Sequence, residues 1–356
     1  MYKRISITSL IWLYLCIALT AQIPANYYNS AIGKQNAELK TALFRIIQPH
    51  TMLEYYSLSN SFRSTDWHPN GYFWDMYSDN KRTSWSSGLN REHNMPKSWF
   101  GISSDEVNSA PIATDLHNLY PSDVDANSKK SNFALGIVGA ISYQNGVVKV
   151  GSNVYPGYSG DVFEPANEYK GDFARDYMYM VTCYEDYSNV WQSTGTISML
   201  QRNTFPVFNA YAVKLLMKWH RNDPVSTKEI NRNNAVYILQ NNRNPFIDHP
   251  VLAEYIWGKY MGDIWDGTND LPETSNPLIY KYDAANNSIF VKLNKPSKAI
   301  YKIFSLTGTL IQNGKMDSSS LITLKNQNTN ENYEKGVYIL SVYAGGRRKT
   351  IRLLVF

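Results

Sequence analysis

Thr114-Asp115-Leu116-His117-Asn118-Leu119-Tyr120-Pro121-Ser122-Asp123-Val124-Asp125-Ala126-Asn127-Ser128-Lys129-Lys130-Ser131-Asn132 is the stretch on which the reading of this chain turns. It reads as a strand, a helix start at Pro121-Ser122, and a short polar helix. It offers oxygen ligands and two cations, and no thiol. Oxygen donors suit a hard ion, Mg2+ first and Ca2+ or Mn2+ as alternatives, because such an ion keeps several waters and needs few protein ligands. Zinc would ask for more histidine or cysteine at short spacing. None of the six histidines (50, 68, 93, 117, 220, 249) stands in an HxxxH or HxxEH pair.

Working outward, Asn90-Arg91-Glu92-His93-Asn94-Met95-Pro96-Lys97-Ser98 gathers an acid, an imidazole and two cations in one short segment. Taken alone it reads better as a solvated loop than as a site. On an extended strand Glu92 and His93 point to opposite faces, unless the strand bends or a metal sits at its edge. Histidine is nonetheless the side chain best suited to take a proton from water near neutral pH. The 114–132 segment tips the balance by supplying a second ligand and a helix.

Around these segments the chain divides by composition. Lys3 and Arg4 followed by the apolar run Leu10–Leu19 read as a signal peptide over residues 1–21, and no later apolar run is long enough to span a bilayer. Helical spacing is seen over Ala31–Tyr56, Gly171–Tyr187, Pro206–His220, Ser226–Leu239, where Ser226 and Glu229 form a capping-box pattern, and Pro250–Trp257. Residues 60–170 are rich in Ser, Asn, Gly, Asp and aromatics, which predicts short strands and loops. A polar linker over 264–280 separates this 22–263 region from a period-two pattern over 281–356, read as a small all-β sandwich. The expected fold class is therefore α+β, with the sandwich as a second domain.

Two counts bound the chemistry. Cleavage of the signal removes Cys16 and leaves Cys183 alone, so no intramolecular disulfide is available. The net charge of +5 is unevenly spread. Lys3 and Arg4 carry two of these charges, and twelve Lys and Arg against four Asp and Glu give residues 275–356 an excess of eight, which leaves residues 22–274 at −5. Phosphate binding in the central region must come from a local patch.

Arg91-Glu92-His93, Thr114 to Pro121, and Asn127-Ser128-Lys129-Lys130-Ser131-Asn132 resemble the hallmark segments of the endonuclease I family of secreted nucleases, in the ββα-metal (His-Me finger) group. Trp74 to Asp79, Arg243 to Pro250 and Tyr255 to Gly258 extend the resemblance over residues 25–260. It implies a ββα-metal core with His93 as general base and Glu92 and Asn127 as ligands of one Mg2+-like ion. Arg91, Lys97, Lys130, His117 and Asn118 are assigned to the substrate; His117 is also readable as a structural residue beside the site, and Asp115 as either a ligand or a hairpin-fixing residue. Lys130 stands where the family usually has arginine, and Trp99 to Ala113 holds no arginine or lysine to replace the family's inter-strand arginine. The implied substrates are DNA and RNA, cleaved with low sequence specificity to 5′-phosphate products.

Ile303 to Gly308, Lys335 to Leu340 and Arg347 to Arg352 are similar to the sorting domain of the type IX secretion system, which implies that machinery as a partner and an extracellular or cell-surface destination. The rival reading is a non-catalytic cell-surface adhesin on a nuclease fold.

Overall fold

The computed structural model describes residues 23–103, 106, 108–191, 199–268, 279–283, 288–324, 333–344 and 347–355. The expected signal peptide and most of the expected linker lie outside these residues. Among the described residues no helix is long and apolar enough to cross a membrane.

Helix α1 (Asn36–Ile47) buries Leu39, Leu43 and Ile47, one side chain per turn, and begins later than the spacing predicted. Helix α2 (Leu58–Thr65) leads to the two-residue strands β1 (Trp67–His68) and β2 (Tyr72–Phe73), which pair with each other. Strand β3 (Leu89–His93) is followed by a single helical turn, α3 (Pro111–Thr114), then strand β4 (Leu119–Asp123) and helix α4 (Val124–Lys130). β3 and β4 are antiparallel, with Glu92 opposite Tyr120 and His93 opposite Leu119. Strands β5 (Ala134–Leu135), β6 (Val138–Gln144), β7 (Lys149–Asn153) and β8 (Asp161–Glu164) form a small sheet in the order β5-β8-β7-β6.

The helical layer follows: α5 (Lys170–Cys183), α6 (Ala210–Asn222), α7 (Thr227–Gln240), α8 (Pro245–Asp248) and α9 (Leu252–Ile256). α5 is the centre of the core. Every residue from Gly171 to Cys183 is buried, so the helix is enclosed on all sides. It packs on α1, α6 and α8. An interior element that carries Asp172, Arg175 and Asp176 must pair or protonate its charges. Arg175 bonds Glu229 on α7, Asp172 receives Lys228, and Asp176 accepts from Asn94 at 2.7 Å. The capping box of Ser226 and Glu229 is present at the start of α7, and the same Glu229 holds Arg175.

Cys183 is buried and free, its thiol pushed up by burial, and serves as a small core side chain. Packing of this region runs past residue 263. Trp265, inside the expected linker, is fully buried and exchanges backbone hydrogen bonds with Gly33 and Lys34.

Strands β9 (Ile279–Asp283), β10 (Ser288–Ser305), β11 (Leu310–Leu324), β12 (Gly336–Ala344) and β13 (Arg347–Val355) pair antiparallel in the order β11-β10-β12-β13, with β9 on the first part of β10. Ile289, Ile303, Leu340, Val342 and Leu353 are buried together at alternating strand positions.

Candidate functional site

The site is assembled on β3, β4 and α4. β4 runs directly into α4, and the turn is made by Asp123, whose carboxylate accepts the backbone N–H of Ala126 at 2.9 Å. The helix therefore starts at Asp123, and Pro121 and Ser122 belong to the strand rather than to the helix start. Arg82 bonds the same Asp123 carboxylate. One turn into α4, Asn127 faces the end of β3.

Asn127, Arg91, Glu92, His93, Lys97 and Tyr55 line one cavity of about 400 Å3, with Asn90, Pro96, Ser98, Ser131 and Asn132 completing its wall. Five of the expected site residues thus converge, although they come from segments some 35 positions apart. Among the described residues, Arg91 and Lys97 are the cations that reach this wall.

His93 is buried, and its Nε2 lies 2.8 Å from the carbonyl oxygen of Ala113, at the end of α3. A carbonyl can only accept, so Nε2 carries the hydrogen and donates it, and the lone pair of the neutral ring is left on Nδ1. Burial pulls the imidazole down to about 4, with the charges of Lys97, Lys130 and Arg91 acting in the same direction against the Ala113 bond. His93 is therefore neutral and basic in form at neutral pH. Tyr55 packs near-parallel to it at 6.4 Å between ring centroids, and Phe100 meets it edge-on at 5.8 Å.

Glu92 is 7% exposed, and burial pushes its carboxyl up despite the charge of Lys130. Lys130 Nζ lies 2.6 Å from Glu92 Oε1 and 3.1 Å from the His93 carbonyl oxygen. Lys130, expected at the substrate, is not among the residues that line the cavity. It is fully buried and ties α4 to β3, holding the acid and the backbone of the base at once.

His117 and Asn118 are likewise out of reach of a substrate in the cavity, being 1% and 0% exposed. His117 Nε2 is 3.4 Å from the Asn242 carbonyl, and its ring packs tilted against that of Tyr179, 4.5 Å between centroids. Asn118 accepts the Met95 N–H at 2.7 Å and donates to the Met95 carbonyl at 3.0 Å, clamping the turn that follows His93. Both support the site from behind.

Two sets of donors could hold a metal. The first is the cavity pair, a carboxylate and an amide oxygen on a wall without thiols, which fits a hard ion that keeps its own waters. The second is His50, Asp115 and Cys183, whose ligand atoms lie within 4.8 Å of one another. Its chemistry fits a metal poorly. Asp115 already accepts from Tyr179 and Tyr184 on one oxygen and from the His117 N–H and Gln240 on the other. Burial works to raise the Asp115 carboxyl, but His50, His117 and these donors hold it below its ordinary value. The cluster is a satisfied hydrogen-bond network, and Asp115 fixes the segment between α3 and β4.

Tyr55 and the Ala113 carbonyl were not anticipated from sequence. Tyr55 stands far upstream of the motif, and a backbone carbonyl leaves no mark in residue type.

With this geometry in view, comparison with known proteins is direct. Residues 35–251 match the profile of the family described as Endonuclease I. The chain is 35% identical over 240 residues to the extracellular ribonuclease of Bacillus amyloliquefaciens, covering 65% of this chain and 78% of that protein. It is 34% identical over 235 residues to the extracellular ribonuclease of Bacillus subtilis (strain 168), with the same shares covered. It is also 26% identical over 254 residues to the extracellular deoxyribonuclease of Aeromonas hydrophila, covering 66% of this chain and 96% of that protein. The chain belongs to the endonuclease I family and is a nuclease, a hydrolase of phosphodiester bonds.

Proposed function

We propose that this protein is a secreted, metal-dependent endonuclease that cuts DNA and RNA with low sequence specificity, and that β3, β4 and α4 form a ββα-metal core. The observation that carries this reading is the shared cavity of His93, Glu92, Asn127, Arg91 and Lys97.

His93 Nδ1 takes a proton from the attacking water; the water oxygen forms a new bond to phosphorus as the bond to the 3′ oxygen breaks, and that oxygen takes a proton from solvent water. The products are a 5′ phosphate and a 3′ hydroxyl. Glu92 and Asn127 would hold one Mg2+-like ion, which supplies charge stabilisation at the scissile phosphate and the departing oxygen. Arg91 and Lys97 hold the phosphate chain from the cavity wall, so they take up part of the role of the family's inter-strand arginine. Among the described residues no base-reading motif accompanies the site, and phosphate contacts alone carry no sequence information.

Extracellular relatives support export, and the strand pattern of residues 279–355 supports a type IX sorting role for the C-terminal region. The test is incubation of the protein with supercoiled plasmid and with RNA, in Mg2+ and in chelator, with end-group analysis of the fragments. The reading predicts Mg2+-dependent nicking of both, with 5′ phosphates. An adhesin would leave both intact, and a small-nucleotide phosphodiesterase would cleave a chromogenic diester alone.

A further inference from the structure

We infer that the rim of the cavity carries a stacking subsite for an unpaired nucleobase next to the scissile phosphate, built from Tyr56 with Arg91, and that the enzyme therefore favours single-stranded over duplex nucleic acid. The inference rests on the nucleic-acid reading above and names the form of substrate that the site prefers.

Tyr56 is 66% exposed. A single exposed tyrosine means little, but this one adjoins the site. Its ring is 5.5 Å from that of Tyr55, and the Arg91 guanidinium carbon lies 4.5 Å from the Tyr55 centroid and 5.6 Å from the Tyr56 centroid. Tyr55 and Arg91 both line the cavity. One cation thus reaches the phosphate-binding wall and sits against an exposed ring beyond it, within reach of a neighbouring nucleotide.

The platform is held in place. The Glu54 carboxylate accepts the N–H of Tyr56 at 3.0 Å and of Ser57 at 2.7 Å, fixing the turn, and Asn108 donates to the Tyr56 hydroxyl at 3.2 Å. Arg91 Nε is buried and has no hydrogen-bond partner among the described residues, while its Nη1 makes only long contacts of 3.4 and 3.5 Å to the Tyr55 and Tyr56 carbonyls. Arg91 is held chiefly by the rings.

A ring face recognises any base by stacking, which tolerates sequence. In a duplex the base faces are already stacked on each other, and exposing one costs unpairing and unstacking. The subsite is therefore open to single strands, loops and ends.

The test measures binding of a short single-stranded oligonucleotide and of the matching duplex to the His93→Ala protein in Mg2+, alone and with Tyr56→Ala or Tyr56→Phe. We expect Tyr56→Ala to weaken single-strand binding about tenfold relative to duplex binding, and Tyr56→Phe to keep the wild-type ratio. A 2-aminopurine base in the single strand should lose its quenching with the alanine. Equal weakening on both substrates, or none, overturns the inference. Failure of the hydrolytic reading is seen separately, as cleavage that survives His93→Ala; the binding ratio then still decides the stacking.

Discussion

Lys130→Met keeps the length and apolar stem of the side chain and removes its charge. In the wild type the pair is 2.6 Å apart, with the lysine wholly buried and the Glu92 side chain 9% exposed. At an effective dielectric near 20 their attraction is about 6 kcal/mol, offset by the cost of drying both groups. Removing one partner of a buried pair costs about 3–5 kcal/mol, because the other charge is left alone. Glu92 has an escape, which is to take up a proton. From its ordinary value of 4.5, that costs at most about 3 kcal/mol at pH 7.

The expected loss of folding stability is therefore about 1–3 kcal/mol at pH 7 in chelator, and it depends on pH. Burial already raises the Glu92 carboxyl in the wild type, and loss of Lys130 raises it further, so in the variant its contribution is intact below pH 4.5 and is lost as pH rises. The deficit should shrink as pH falls from 7 towards 5, because Glu92 then takes up a proton in both proteins. Urea unfolding of both proteins at several pH values measures it. A deficit that is flat over this range, or below about 1 kcal/mol at pH 7, would refute the view that Lys130 neutralises Glu92.

Other expectations follow from the same contacts. Asp123→Ala removes the cap of α4 and a partner of Arg82, and should cost about 1–2 kcal/mol in urea unfolding while weakening Mg2+ binding measured by calorimetry, since Asn127 sits one turn on. Mg2+ at a hundredfold excess over its Kd should raise stability by about 2.7 kcal/mol; Glu92→Gln and Asn127→Ala should abolish that rise in thermal unfolding. Burial holds His117 at about 4, below the value of 6.5 it has in the unfolded chain, so acidification protonates the unfolded chain first. Stability is lost as pH falls from 6.5 towards 4, by about 3 kcal/mol from this group. Asp176, pushed up to about 8 by burial, acts with the opposite sign, so the measurement is the difference in pH profile between the wild type and His117→Gln. A profile unchanged by that substitution would contradict the assignment.

Much of this site was legible because its chemistry is local. Arg91, Glu92 and His93 are consecutive, and Asn127 follows β4 by a few residues, so a short motif carries most of the cavity. Lys130, His117 and Asn118 were harder to place because substrate contacts and buried networks draw on the same polar residue types. What separates them is burial, which α5 and the 240–248 segment create from far along the chain. The Ala113 carbonyl, which selects the His93 tautomer, and Tyr55, which packs on the ring, depend on backbone course and long-range packing. The helices were legible from spacing, whereas their ends were set by caps such as Asp123 and by contacts such as those of Trp265 with residues 33 and 34.

The most direct test of the central claim is plasmid nicking in Mg2+ by His93→Ala, whose Nδ1 base is removed. The account predicts a loss of at least a hundredfold, in the lower part of the range that a positioned base supplies (about 10²–10⁴-fold), with plasmid binding retained in a gel-shift assay. Nicking within a few-fold of wild type by a folded His93→Ala protein would contradict it.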